Sequence, residues 1–139
     1  MRKTFIYCLL AVLTLSLAGC KSADAAVGTP VKADQASYQD ISVSEFQTML
    51  KSKDFLLVNV HIPFEGNLPQ TDLSIPYNTI THNLNMLPGD KNAKIVLYCR
   101  SGSMSTMAAG ELAKLGYTSV MNLDGGMNSW EAAGLKIER

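Results

Sequence analysis

The sequence predicts an α/β domain, a central and mainly parallel sheet flanked by helices. Three observations carry this. The runs Phe55-Leu56-Leu57-Val58-Asn59-Val60 and Ile95-Val96-Leu97-Tyr98 are nearly continuous in apolar character, as befits parallel strands covered on both faces. Helical spacing separates such runs: Phe46, Met49 and Leu50 fall at i, i+3 and i+4 and so line one face of a helix. Finally, strands alternate with helices along the chain, a pattern that calls for crossover connections and a parallel sheet.

At 139 residues the chain is long enough for one domain with its own core. Twelve Lys and Arg balance twelve Asp and Glu, and without a basic block no nucleic-acid partner is expected. Cysteines stand at 8, 20 and 99, and no pair has the spacing of a zinc or redox motif. Cys99 is then the only thiol of the folded part, which excludes a disulfide framework within one chain.

Residues 1–19 read as a signal peptide. Arg2 and Lys3 form its charged start, and Phe5 to Ala18 is apolar apart from Thr14 and Ser16. That run is short for a membrane span, which needs about 20 residues, and suits a signal h-region. Without the leader the chain holds ten basic and twelve acidic residues. Leu17-Ala18-Gly19-Cys20 resembles the bacterial lipobox. The resemblance implies cleavage before Cys20, lipidation at Cys20 and attachment to a membrane of the bacterial cell envelope, on its extracytoplasmic side. The alternative is an ordinary signal peptide with Cys20 incidental. Residues 20–37 are small and polar, with Gly28 and Pro30, and read as a flexible tether.

The folded domain is expected over 38–139. Ile41-Ser42-Val43 reads as a short strand, and the helix after it starts at Ser44, a candidate N-cap. Phe55 to Val60 is a buried strand. Residues 61–77, with Pro63, Gly66, Pro69 and Pro76, form a long loop broken by a short strand at Ser74-Ile75, and loops of such length inside a compact domain are often functional. Thr79 to Leu87 reads as a short helix ended by Pro88-Gly89. Lys94 to Cys99 is the central strand. A helix over 103–115 is closed by Gly116 at C′. Ser119 to Leu123 is the last strand, Asp124-Gly125-Gly126 a turn, and Met127 to Ala133 a final helix closed by Gly134.

The informative stretch is Tyr98-Cys99-Arg100-Ser101-Gly102-Ser103-Met104-Ser105. It places one cysteine between a buried strand and a helix N-terminus. The first N–H groups of a helix have no partner inside it, and with the macrodipole they favour an anion there. Helix N-termini lower a thiol's pKa from its usual value of about 8.5. Ser101 and Ser103 are small and Gly102 is conformationally free, so the loop can curl its N–H groups around the sulfur. Ser101, Ser103 and Ser105 can donate hydroxyls, although serine also serves as a helix cap. An inert buried cysteine is the plainer alternative.

Residues 38–137 resemble a single rhodanese-like domain. The resemblance rests on Ile95–Ser105 as the active-site segment, on Val120-Met121-Asn122-Leu123-Asp124-Gly125-Gly126 with Trp130 as the last strand, double-glycine turn and tryptophan helix, and on Phe55–Val60 as the early buried strand. It implies a sulfurtransferase or persulfide carrier needing no cofactor and no metal. Cys99 would be catalytic. The backbone amides of Arg100, Ser101, Gly102, Ser103, Met104 and Ser105 would cradle the sulfur. The partners implied are a small sulfur donor (thiosulfate, polysulfide or persulfide) and a thiol acceptor. The chain departs from the family where many members carry Arg five residues after the cysteine and this one has Met104. It departs again where Asn59-Val60-His61 replaces Asp-Val-Arg. A non-catalytic binding or sensory domain is the alternative that the missing Arg favours. Phosphatase or arsenate reductase chemistry would call for Arg six residues after the cysteine, where Ser105 stands.

His61 ends a strand aimed at the Cys99 edge, the side where parallel sheets gather functional groups; it is an auxiliary candidate or a loop anchor. His82 reads as solvated, Glu65 and Asp72 as exposed charges or replacements for a family carboxylate, Met104 and Met107 as packing on the helix, Gly125-Gly126 as turn residues and Trp130 as core.

Overall fold

The computed structural model describes residues 28–33 and 36–139. The signal peptide, Cys20 and the first part of the tether lie outside the described residues. Six strands make one sheet: β1 (Thr29–Ala33), β2 (Ala36–Ile41), β3 (Leu56–Asn59), β4 (Leu73–Ser74), β5 (Ile95–Tyr98) and β6 (Val120–Leu123). Their order across the sheet is β1-β2-β6-β5-β3-β4. β1 runs antiparallel to β2, and every other pairing is parallel. Three α-helices, α1 (Val43–Leu50), α2 (Ser103–Lys114) and α3 (Gly126–Ala132), flank the sheet with two 3₁₀ turns, Tyr77–His82 and Leu84–Met86.

The apolar runs are continuous because both faces are covered. Side chains alternate across a strand, so Ile95 and Leu97 of β5 enter one core with Ala108, Ala109 and Leu112 of α2 and Ile80 of the first 3₁₀ turn. Val96 and Tyr98 enter the other, with Phe46 of α1 and Met127 and Trp130 of α3. Cys99 continues the Ile95–Leu97 series into the α2 core. The Trp130 indole meets the Phe46 ring edge-on at 5.7 Å, and its N–H donates to the Lys136 carbonyl.

Several boundaries differ from the sequence expectation, each for a tertiary or capping reason. Where a tether is read to residue 37, the chain forms β1 and the first two residues of β2. Main-chain pairing to β6 (Gln39↔Met121, Ile41↔Leu123) holds β2, and β1 adds an edge strand that needs no apolar side chains to pair. The N-cap of α1 is Ser42, not Ser44: Ser42 Oγ accepts from the Glu45 N–H at 3.3 Å, while the Glu45 carboxylate accepts from the Ser42 N–H at 2.8 Å. This reciprocal capping box holds the Glu45 carboxyl below its usual range. The expected 79–87 helix is two short 3₁₀ turns instead. The α2 terminus is as read. The Gly116 N–H donates to Ala113 O and the Tyr117 N–H to Leu112 O, and Gly116 has φ 89°, the glycine-closed Schellman arrangement.

Candidate active site

Cys99 follows the last residue of β5, on the sheet edge where β3 and β6 also end. Gly102, at φ 93°, is the N-cap of α2. Its left-handed conformation, cheap only for glycine, folds the loop back so that the Gly102 N–H donates to Cys99 Sγ at 3.1 Å. The Ser105 hydroxyl lies 3.4 Å from Sγ and 3.1 Å from the Gly102 carbonyl; it has one proton to give, so it serves the sulfur or the carbonyl at any moment. Both donors lie at the N-terminal end of a twelve-residue helix, Gly102 as its N-cap and Ser105 in its first turn.

The site is tighter than the sequence suggests. Of the expected cradle from Arg100 to Ser105, Gly102 and Ser105 bring donors to Sγ. Ser101 and Ser103 are exposed. Met104 packs half-buried against the core that contains Cys99. Arg100 points toward two carboxylates. Cys99 itself is only 1 % exposed, so its sulfur lies beneath the loop rather than open to solvent.

The double glycine does more than turn the chain. Gly125 and Gly126 have φ 68° and 55°, and a Cβ on Gly126 would stand 2.2 Å from the Cys99 carbonyl oxygen. That close approach lets α3 dock its first N–H groups on the loop, Met127 donating to Cys99 O and Asn128 to Arg100 O, both at 2.9 Å. In a trans peptide the C=O and N–H point opposite ways. Anchoring these carbonyls to α3 therefore turns the Arg100 and Ser101 N–H groups away from α3.

A second loop, between β3 and β4, walls the same edge. It is organised by two side chains that the sequence reading left in the core. Asn59, 1 % exposed, donates to Gly66 O at 2.9 Å and to Asn67 Oδ1 at 3.0 Å, and accepts from the His61 N–H at 2.9 Å. The Tyr98 hydroxyl accepts from the Leu68 N–H at 3.0 Å and pairs with Thr71 at 2.7 Å. Burial pushes the Tyr98 phenol above its ordinary pKa. The available signal was Asn59, a lone amide inside an apolar run.

This loop delivers Glu65 to the site. One Glu65 oxygen lies 3.4 Å from Arg100 Nη1 and 3.6 Å from His61 Nε2. Glu131 of α3 approaches Arg100 from the other side at 3.3 Å. The His61 side chain is 10 % exposed, and neither ring nitrogen has a hydrogen-bond partner among the described residues. Asp72, by contrast, caps the Leu57 N–H and pairs with Lys53, away from Cys99. Among the described residues no group of three or more His, Cys, Asp or Glu converges as a metal site. A 540 Å³ cleft opens between α2 and the first 3₁₀ turn, lined by Tyr38, Tyr77, Thr106 and Met107 among others, and Cys99 is not in its wall.

Residues 42–133 match the family model of the rhodanese-like domain. The chain belongs to the rhodanese-like family. A protein named sulfurtransferase from Allochromatium vinosum is 36% identical over 99 residues, covering 69% of this chain and 90% of its own. The thiosulfate sulfurtransferase GlpE of Pseudoalteromonas translucida is 27% identical over 107 residues, 74% of this chain and 99% of its own. Among solved structures, a rhodanese-like domain protein from Staphylococcus aureus superposes with a TM-score of 0.58 at 31% identity, over 72% of this chain and 98% of its own. The rhodanese-like match spans both loops and α3.

Proposed function

We propose that this rhodanese-like protein is a sulfurtransferase that carries sulfane sulfur as a Cys99 persulfide. The observation that carries the reading is the Gly102 N–H aimed at Cys99 Sγ, 3.1 Å away, at the start of α2. The relatives named as sulfurtransferases support the same role. The Cys99 thiolate attacks the outer sulfur of thiosulfate, a polysulfide or a persulfide. A bond forms between the two sulfurs, the donor's own S–S bond breaks, and sulfite or a thiolate leaves with the electron pair. A thiol, or cyanide in an assay, then attacks the outer sulfur and releases the Cys99 thiolate. The N–H and hydroxyl donors stabilise the anion at each stage, without a metal or organic cofactor.

The 1 % exposure of Cys99 favours one second reading, a non-catalytic binding or sensory domain that keeps the fold. Intact mass after exposure to polysulfide separates the two. The sulfurtransferase reading expects one added sulfur atom, removed by cyanide as thiocyanate and absent in Cys99→Ser. A wild-type chain that never gains sulfur supports the binding role. Phosphatase chemistry is disfavoured because Ser105, the position where an Arg would hold a tetrahedral oxyanion, turns its hydroxyl to Cys99 Sγ at 3.4 Å.

The reading includes an address. Leu17-Ala18-Gly19-Cys20 supports lipidation of Cys20 and a place on the extracytoplasmic side of the bacterial envelope, where several acyl chains anchor firmly at about 0.8 kcal/mol per buried CH₂. Detergent partitioning of the expressed full chain, lost in Cys20→Ala, is the expected result; a wild-type chain found in the aqueous phase contradicts it.

A further inference from the structure

Arg100 is the single basic side chain between Cys99 and Ser105 and so the natural partner for an anionic donor arriving at the sulfur. The structure surrounds it with negative charge. Its Nη1 lies 3.4 Å from Glu65 and its Nη2 lies 3.3 Å from Glu131. Arg139 sits 3.6 Å from the other Glu131 oxygen, but its side chain is 69% exposed, so solvent and salt screen it most. His61 stands 3.6 Å from the same Glu65 oxygen that Arg100 uses.

Two carboxylates come from separate elements, the β3–β4 loop and α3, and converge on one guanidinium. Exposed ion pairs of this kind hold weakly, so Arg100 is not locked in place. The carboxylates nevertheless remain on the β3–β4 loop and on α3, the two elements beside the Cys99–Gly102 loop, whichever rotamer Arg100 adopts. An incoming anion that recruits Arg100 must enter beside both of them. The Coulomb cost of doing so scales with the donor's own charge, so a dianion meets twice the penalty of a monoanion.

Resting on the sulfurtransferase reading, we propose that Glu65 and Glu131 set the donor preference of Cys99 against dianions such as thiosulfate and toward donors with one negative charge or none, such as organic persulfides and thiosulfonates. The chemical step is the same for each. The Cys99 thiolate bonds to the donor's outer sulfur, the donor S–S bond breaks, and sulfite, a sulfinate or a thiolate carries off the electron pair.

The test uses the full chain and two donors that present the same outer sulfur, thiosulfate with two charges and methanethiosulfonate with one, at constant pH and low salt. Thiocyanate release to cyanide reads kcat/KM for each. The double variant Glu65→Gln with Glu131→Gln is isosteric, at one exposed and one half-buried position. It is expected to raise kcat/KM about tenfold for thiosulfate and about threefold for methanethiosulfonate, because doubling the donor charge doubles the logarithm of the gain; added salt should erase both gains. An unchanged ratio between the donors overturns the proposal and leaves the sulfurtransferase reading intact. If neither donor yields thiocyanate with the wild-type chain, the donor preference is overturned, and polysulfide loading at Cys99 decides whether the sulfurtransferase reading stands.

Discussion

Two loops leave the same edge of the sheet from neighbouring strands, and they are held in different ways. The short one, from Cys99 to Gly102, is closed by bonds within its own segment, with α3 docked on two of its carbonyls. The Gly102 N–H returns to Cys99 Sγ, and Ser105 returns to Gly102 O. The long one, between β3 and β4, is shaped by side chains buried in the sheet. Asn59 holds Gly66 and Asn67, and Tyr98 holds Leu68 and Thr71 from 27 to 30 residues away in sequence. The difference separates chemistry from support. The Cys99 sulfur sits on the short loop, and Glu65, one of the two carboxylates beside Arg100, arrives on the loop that the core must position.

The contrast predicts that the long loop carries stability that the short loop's chemistry does not need. Asn59→Leu removes one buried acceptor and two donor contacts, leaving carbonyl and N–H groups unpaired. It should cost about 3 kcal/mol, at 1–3 kcal/mol for each group left unsatisfied, read by urea denaturation. Wherever the variant is still folded, sulfur loading at Cys99 should persist; loading lost before unfolding would break the comparison.

Gly126→Ala probes the tertiary tie that the short loop does have. The new Cβ would meet Cys99 O at 2.2 Å, from a backbone at φ 55°. The expected cost is about 2 kcal/mol from strain and overpacking, together with slower sulfur transfer, since α3 can no longer dock its N–H groups on the Cys99 and Arg100 carbonyls. Full activity with lowered stability would mean that α3 supports the fold alone.

Tyr98→Phe should cost about 1–2 kcal/mol, because the buried Leu68 N–H loses its acceptor. It also sharpens the comparison by pH. Burial raises the Tyr98 pKa above its unfolded value of 10.0, so unfolding releases the phenolic proton more readily than the native state does. The stability that this group contributes is present in full below pH 10 and is lost as pH rises through the native value. Alkaline melting curves should therefore fall more steeply for the wild type than for Tyr98→Phe, and parallel curves would contradict the buried role. Ser42→Ala, remote from both loops, should cost about 1 kcal/mol as a lost N-cap and leave sulfur transfer unchanged. With the Glu45 pKa lowered chiefly by the Ser42 backbone N–H, its contribution is present above pH 4.5 and fades as pH falls through the native value; this acid limb should shrink but persist in Ser42→Ala, which removes the hydroxyl and keeps the backbone donor.

Elements whose evidence is contiguous in sequence were readable from it. The runs Leu56–Asn59 and Ile95–Tyr98 announced buried parallel strands. Gly116 announced the end of α2. Cys99, placed between an apolar run and a Ser/Gly loop, announced a sulfur held at a helix start. The edge hairpin was not readable, because β1 is joined to β2, and β2 to β6, through main-chain hydrogen bonds that any small polar residue can make. Nor was the number of donors that reach Sγ, since the direction of each amide depends on α3 capturing the loop carbonyls.

By itself, then, the amino-acid order determined the α/β class, the order of strands and helices around the central run, and the place of Cys99 between a buried strand and a helix start. Periodicity, turn chemistry and a helix N-terminus act over a few residues, and those distances are written in the chain. Tertiary structure alone decided that Cys99 is covered, that Glu65 and Glu131 meet at Arg100, and that Asn59 and Tyr98 tie down a loop. These depend on which distant segments the two cores press together, and packing of that kind leaves no local signature beyond an occasional polar residue in an apolar strand.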